Sequence, residues 1–103
     1  MPGRRLPTIR TFQTADADPL AALLRNSLAA GELNGFTSGE IEGLIGAFPI
    51  VRNLLVAEIE GRPVGIICSD QRLLAVDPSA RRRGIGRALV DAMEVALEAT
   101  PDG

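Results

Sequence analysis

Leu73-Leu74-Ala75-Val76-Asp77-Pro78-Ser79-Ala80-Arg81-Arg82-Arg83-Gly84-Ile85-Gly86-Arg87-Ala88-Leu89 passes from an apolar strand, through an Asp-Pro stop and three arginines, into Gly-Ile-Gly at the start of an amphipathic helix. That succession is the local architecture of an anion site. The first turn of a helix carries backbone N–H groups without intrahelical partners, at the positive end of the macrodipole. Glycines at its mouth let a phosphate approach the backbone, and arginines add bidentate donors. The expected guest is a phosphorylated cofactor, with a pyrophosphate at the loop.

Other glycine loops fit poorly. A P-loop ends in Gly-Lys-Ser/Thr, and the chain contains no lysine. A dinucleotide fingerprint needs Gly or Ala where Leu89 stands. A nucleic-acid surface could use Arg81, Arg82, Arg83 and Arg87, but the net charge is −2 and the only aromatics are three Phe, so stacking platforms and a basic face are lacking. The plain structural reading is a solvated arginine loop with two glycines permitting a turn.

Upstream, Thr8-Ile9-Arg10-Thr11-Phe12 alternates as a strand. Asp18-Pro19 predicts a helix start, with Asp at the cap and Pro at the first helical position. Leu20, Leu23, Leu24 and Leu28 form its apolar face, and Gly31 ends it. Thr37-x-x-Glu40 is a capping box for a second helix with Ile41, Leu44, Ile45 and Phe48 on one face, closed by Pro49. Leu54–Ile59 and Val64–Cys68 read as strands around the tight turn Glu60-Gly61-Arg62, and Ser69-Asp70-Gln71 leads into an Arg72–Val76 strand. In the last helix Ile85, Leu89, Met93 and Leu97 share the buried face, and Arg87 pairs with Asp91 outside. Residues 1–7 are expected to be flexible and Thr100-Pro101-Asp102-Gly103 to stop the chain's final helix.

The loop segment resembles motif A of the GNAT N-acetyltransferases, Gln/Arg-x-x-Gly-x-Gly/Ala after a strand and before a helix. Here it is met by Arg81-Arg82-Arg83-Gly84-Ile85-Gly86 behind Val76-Asp77-Pro78. The element order β-α-α-β-β-β-α also resembles the first part of that fold, over roughly residues 8–99, with the motif A strand-loop-helix at 71–99. The resemblance implies an α/β (α+β) class: a partial acyl-CoA N-acyltransferase fold, a mixed, mainly antiparallel sheet with helices on both faces. The family continues with further strands and a fourth helix that this sequence does not show.

The same resemblance implies acetyl-CoA as cosubstrate. Leu74, Ala75 and Val76 would bind its pantetheine arm, and the segment Arg81, Arg82, Arg83, Gly84, Ile85, Gly86, Arg87 and Ala88 its pyrophosphate. A strand N–H would polarise the thioester carbonyl. Transfer in the family is direct, from thioester to amine. Its acidic base stands eleven residues before the first motif position, which is Asp70; the competing reading of Asp70 is a turn residue. Glu58 and Glu60 are weaker alternatives. The family's acid is commonly a tyrosine on the fourth helix, and this chain has no tyrosine. Water or another chain would then protonate the thiolate.

Length and composition bound the rest. The 103 residues make one domain, 46% hydrophobic, large enough for a compact core. With one cysteine, Cys68, and no histidine, disulfide frameworks, Cys/His zinc sites and a Cys–His nucleophile are excluded, and Cys68 reads as a buried strand thiol. No apolar h-region follows Met-Pro-Gly-Arg-Arg, and no apolar run approaches a membrane span. The expectation is a cytoplasmic protein without nucleic-acid or membrane partners. The all-arginine, Ala- and Gly-rich composition resembles a GC-rich bacterial bias.

Two functions are compatible with this sequence. One is an N-acetyltransferase acting on a small-molecule or protein amine; the other is a non-catalytic CoA-binding or interaction module. The strand before the loop has no following strand to cover its edge, so a homo-oligomer or a partner chain over that edge is expected.

Overall fold

A computed structural model describes residues 6–81 and 84–99. The expectations placed on residues 1–5, on Arg82 and Arg83 and on the Thr100–Gly103 stop lie outside the described residues.

Strand β1 (Thr8–Thr11) leads through a 3-10 turn at Thr14–Asp16 into helix α1 (Ala17–Ala29). The expected start at Asp18-Pro19 is corrected: Asp16 holds the cap position and Pro19 is the third helical residue. Pro is tolerated there because first-turn N–H groups have no intrahelical acceptor to lose. Asp16 takes precedence over Asp18 because Arg10 of β1 reaches it. The buried Asp16 carboxylate accepts from the Arg10 guanidinium at 2.7 and 2.9 Å and from the Gln13 N–H at 2.7 Å.

Gly31, with φ of +77°, ends α1. Its N–H donates to the Leu28 carbonyl (3.0 Å), and the Glu32 N–H donates to the Ser27 carbonyl (2.9 Å). These two bonds form a Schellman closure, which sets the direction in which the chain leaves the helix. Helix α2 (Ser38–Ala47) has the expected capping box: Glu40 N–H to Thr37 Oγ1 at 3.1 Å, and Thr37 N–H to Glu40 Oε1 at 2.8 Å. Phe48, in the 3-10 turn that follows, is buried against Phe12.

Strands β2 (Leu54–Ile59) and β3 (Arg62–Cys68) form a hairpin whose two turn residues, Glu60 and Gly61, both have positive φ. That is the turn geometry whose twist matches the flanking strands. Ala57 pairs with Gly65 and Glu58 with Pro63, so Val64 is an extra, bulged residue. Its carbonyl accepts from the Asp77 N–H at 2.7 Å, just past strand β4 (Leu73–Val76).

The sheet order is β1-β2-β3-β4 and every pairing is antiparallel. The expected mixed sheet is therefore wholly antiparallel among the described residues. Alternation splits the core in two. Leu54, Val56, Ile66, Cys68, Leu73 and Ala75 face α1 and α2. Ala57, Ile59, Val64 and Ile67 face helix α3 (Ile85–Ala99). Within α3, Ile85, Leu89 and Met93 are buried as expected, whereas Leu97 is 42% exposed. Leu97 belongs to neither core cluster: the buried face of α3 ends at Met93, and the helix continues beyond the side chains that cover it. No described helix is long and apolar enough to cross a membrane.

Candidate functional site

At the C-terminal end of β4 the chain must turn sharply to enter α3. Asp77 makes the turn: its Oδ1 accepts from the Ser79 N–H (2.8 Å) and the Ser79 hydroxyl (2.7 Å). These two bonds hold the Asp77 carboxyl below the usual carboxylate range. Ala80 is buried among the residues under α3 and pins the loop to the core. Gly84, at φ of +73°, supplies the left-handed step before the helix.

The first helical bond runs from the Ala88 N–H to the Gly84 carbonyl, 2.9 Å. The N–H groups of Ile85, Gly86 and Arg87 therefore stand ahead of the helical ladder. This narrows the expected set of amides, because Ala88 spends its N–H on Gly84. The Arg87 side chain lies outside, 84% exposed, 3.8 Å from Asp91.

A cavity of about 440 Å³ lies where these parts meet. It is lined by the expected Leu74, Ala75, Val76, Arg81, Gly84, Ile85 and Gly86. A Cβ on Gly86 would lie 3.8 Å from Leu74 Cδ2 and 3.9 Å from Val76 Cγ2, so its missing side chain leaves the gap between the helix start and β4. Three wall residues were not legible in the sequence: Ser27 at the end of α1, and Glu32 and Leu33 beyond it. The Gly31 stop announces that the chain turns there, but nothing local says that the turn faces the glycine loop. Glu32 is ion-paired with Arg81 across the cavity. That hydrogen bond raises the Arg81 pKa further above its ordinary value.

Asp70 is elsewhere. It is exposed in the β3–β4 turn, accepts from Asn53 Nδ2 at 3.3 Å, and stands at the opposite end of β4 from the glycine loop. There it lines a second cavity of about 440 Å³ with Gln71 and with Phe36, Glu40, Ile41 and Leu44 of the α2 region. Glu58 is ion-paired with Arg10, and Glu60 lies in the β2–β3 turn. Cys68 is fully buried and burial pushes its thiol pKa up, which makes it a core residue rather than a nucleophile.

An antiparallel sheet between helices, with an edge strand running into a glycine loop and a helix start, is the architecture of an acetyltransferase domain. A family model described as acetyltransferase (GNAT) domain matches residues 51–102. The chain belongs to this family. Solved structures agree with that fold. Ard1 from Thermoplasma volcanium is 28% identical with a TM-score of 0.64, over 89% of this chain and 64% of that one. N-acetylglutamate synthase from Neisseria gonorrhoeae, complexed with coenzyme A and N-acetyl-glutamate, is 21% identical with a TM-score of 0.65, over 93% of this chain and 23% of that one. A possible acetyltransferase from Clostridium difficile 630 is 19% identical with a TM-score of 0.67, over 92% and 73%. The chain thus spans less than two-thirds of the length of the first two. Comparison with curated proteins gives no match.

Proposed function

We propose that this chain is an N-acetyltransferase that moves the acetyl group of acetyl-CoA onto an amine by direct attack. The observation that carries the reading is the meeting, at one cavity, of the first-turn amides of α3, the gap left by Gly86, Arg81 and the outer edge of β4. The amides and Arg81 suit a pyrophosphate. The β4 edge offers the backbone groups of Leu74 and Val76 to the amides of a pantetheine arm, whereas those of Ala75, also expected there, face Ile66 of β3. The similarity to a synthase complexed with coenzyme A points the same way.

Bound acetyl-CoA supplies a thioester carbonyl. The residues then have three tasks. A β4 N–H donates to the carbonyl oxygen where charge develops. Asp70 takes the proton of the acceptor's ammonium, directly or through water, which frees the lone pair that attacks the carbonyl carbon. The C–N bond forms as the C–S bond breaks, and water returns a proton to the sulfur, there being no tyrosine in the chain. The acceptor is a small-molecule or protein amine approaching from the second cavity. A second copy of the chain, or a partner, covers the outer edge of β4, which no described strand pairs; light scattering tests that point, and a monomer at high concentration refutes it.

The deciding experiment is a calorimetric titration with CoA, followed by thiol release from acetyl-CoA against a panel of amines. Binding with amine-dependent release is expected. Absence of CoA binding at millimolar concentration defeats the reading, and binding without release on any amine leaves a CoA-binding module instead.

A further inference from the structure

Among the described residues, Ser27 is one of two polar residues in the buried core, 3% exposed, on the last turn of α1. Its backbone carbonyl is used by the Glu32 N–H. Its hydroxyl makes no hydrogen bond among the described residues, unlike Asp16, the other buried polar residue, whose carboxylate has three. No side-chain oxygen or nitrogen closed off from solvent lacks a partner among the described residues. The small part of Ser27 that remains open is therefore its hydroxyl, and what it opens onto is the cavity it lines.

The position of that hydroxyl relative to β4 defines what it can touch. Ala75 packs toward α1 and α2, whereas Ile85 lies in the core on the α3 side. Ser27 and the amides of Ile85 and Gly86 thus approach the β4 edge from opposite faces of the sheet. A ligand anchored by phosphate at the α3 start therefore reaches Ser27 by crossing that edge. The Glu32 carboxylate on the same wall is tied to Arg81, the residue assigned to the pyrophosphate, so the part of the ligand left for Ser27 is the arm that follows it. A neutral hydroxyl, with one donor and two lone pairs, matches a neutral amide.

We propose that Ser27 is a binding residue of the cofactor cavity, hydrogen-bonding an amide of the pantetheine arm and setting the register of that arm along β4. The inference rests on the CoA reading above. A ligand amide there would take the place of water at the one polar atom that Ser27 presents to the cavity.

The test is Ser27→Ala, a change that favours the helix and removes only the hydroxyl. CoA is titrated into the wild-type chain and the variant at several salt concentrations, with thermal melts alongside. The expected result is a Kd for CoA weaker by about two- to tenfold, an unchanged slope of log Kd against log salt, and a melting temperature no lower than wild type. The slope reports the phosphate contacts, so a loss of affinity with a flattened slope or a lowered melting temperature assigns Ser27 a structural role and overturns the proposal. An unchanged Kd overturns it as well. Failure of the wild-type chain to bind CoA counts instead against the underlying reading.

Discussion

Gly65 lies where β3 passes beneath the first turns of α3. A Cβ there would meet Ile85 Cγ2 and Leu89 Cδ1, each at 3.1 Å, and the Ala75 carbonyl oxygen at 3.4 Å. Ordinary carbon contacts are about 3.5–4.0 Å. For Gly65→Ala the two side-chain tips need to yield only a few tenths of an ångström. That cost, near ~1 kcal/mol, is largely offset by the reduced freedom of the unfolded chain, about 0.4–1 kcal/mol. Gly65→Val adds two more methyl groups in the same gap, for which overpacking of ~3 kcal/mol is reasonable, leaving a net loss near ~2 kcal/mol. For a domain of this size that lowers Tm by roughly 8–16 °C. Because Ile85 opens α3 and lines the cavity, the displaced helix start also weakens CoA binding. Urea denaturation and calorimetry measure the first effect, a CoA titration the second. Leu89→Ala in the Gly65→Val background should cost less than the sum of the two single changes, since it vacates the space the valine needs. A Gly65→Val chain as stable as wild type, or strict additivity in the double variant, would refute the close-approach argument.

Gly86→Val fills the gap toward Leu74 and Val76 and should abolish CoA binding in calorimetry with little change in the melt. Gly84→Val should also abolish CoA binding, and its left-handed φ adds a strain of about 1–2 kcal/mol that lowers the melting temperature as well. Asp70→Asn should lower turnover at saturating amine by ~10²-fold or more with CoA affinity unchanged; an unaltered pH–rate profile makes Asp70 a turn residue only. The bonds from Arg10, and then from Gln13, hold the Asp16 carboxyl below its ordinary value in the folded chain. Its contribution to stability is therefore present above the unfolded carboxylate value of about 3.9 and lost as pH falls through the lower folded value. Asp16→Asn should cost about 1–3 kcal/mol at neutral pH and flatten the acid limb of the stability curve, which urea melts across pH would show.

Much of this architecture was legible because it is written in local chemistry. Thr37 and Glu40 cap each other within one turn, Glu60-Gly61 needs only its two neighbours to form a hairpin, and Gly31 and Glu32 close α1 through bonds to Leu28 and Ser27. The glycine loop belongs to the same class, which is why seven of the ten described residues lining the first cavity could be named from one stretch. What escaped was tertiary. Asp16 rather than Asp18 holds the start of α1 because an arginine on a neighbouring strand reaches it. Leu97 keeps the helical period of Ile85, Leu89 and Met93, yet periodicity does not say where the covering side chains end. Ser27, Glu32 and Leu33 reach the cavity only because α1 crosses the sheet as it does.

The pair between Glu32 and Arg81 has a consequence for ion selectivity. The guanidinium at the mouth of the cavity is already held by a carboxylate on its own chain. Tethering of this kind sets a local concentration of order millimolar, and any incoming anion must exceed it to take the arginine. A dilute monovalent ion such as chloride or acetate cannot. A polyvalent phosphate that also gathers the three N–H groups at the head of α3 can, because it exchanges one bond for several. On the proposed function the carboxylate is thus a threshold, which a monovalent anion below that concentration does not pass and which a ligand that brings both charge and a fitting chain does.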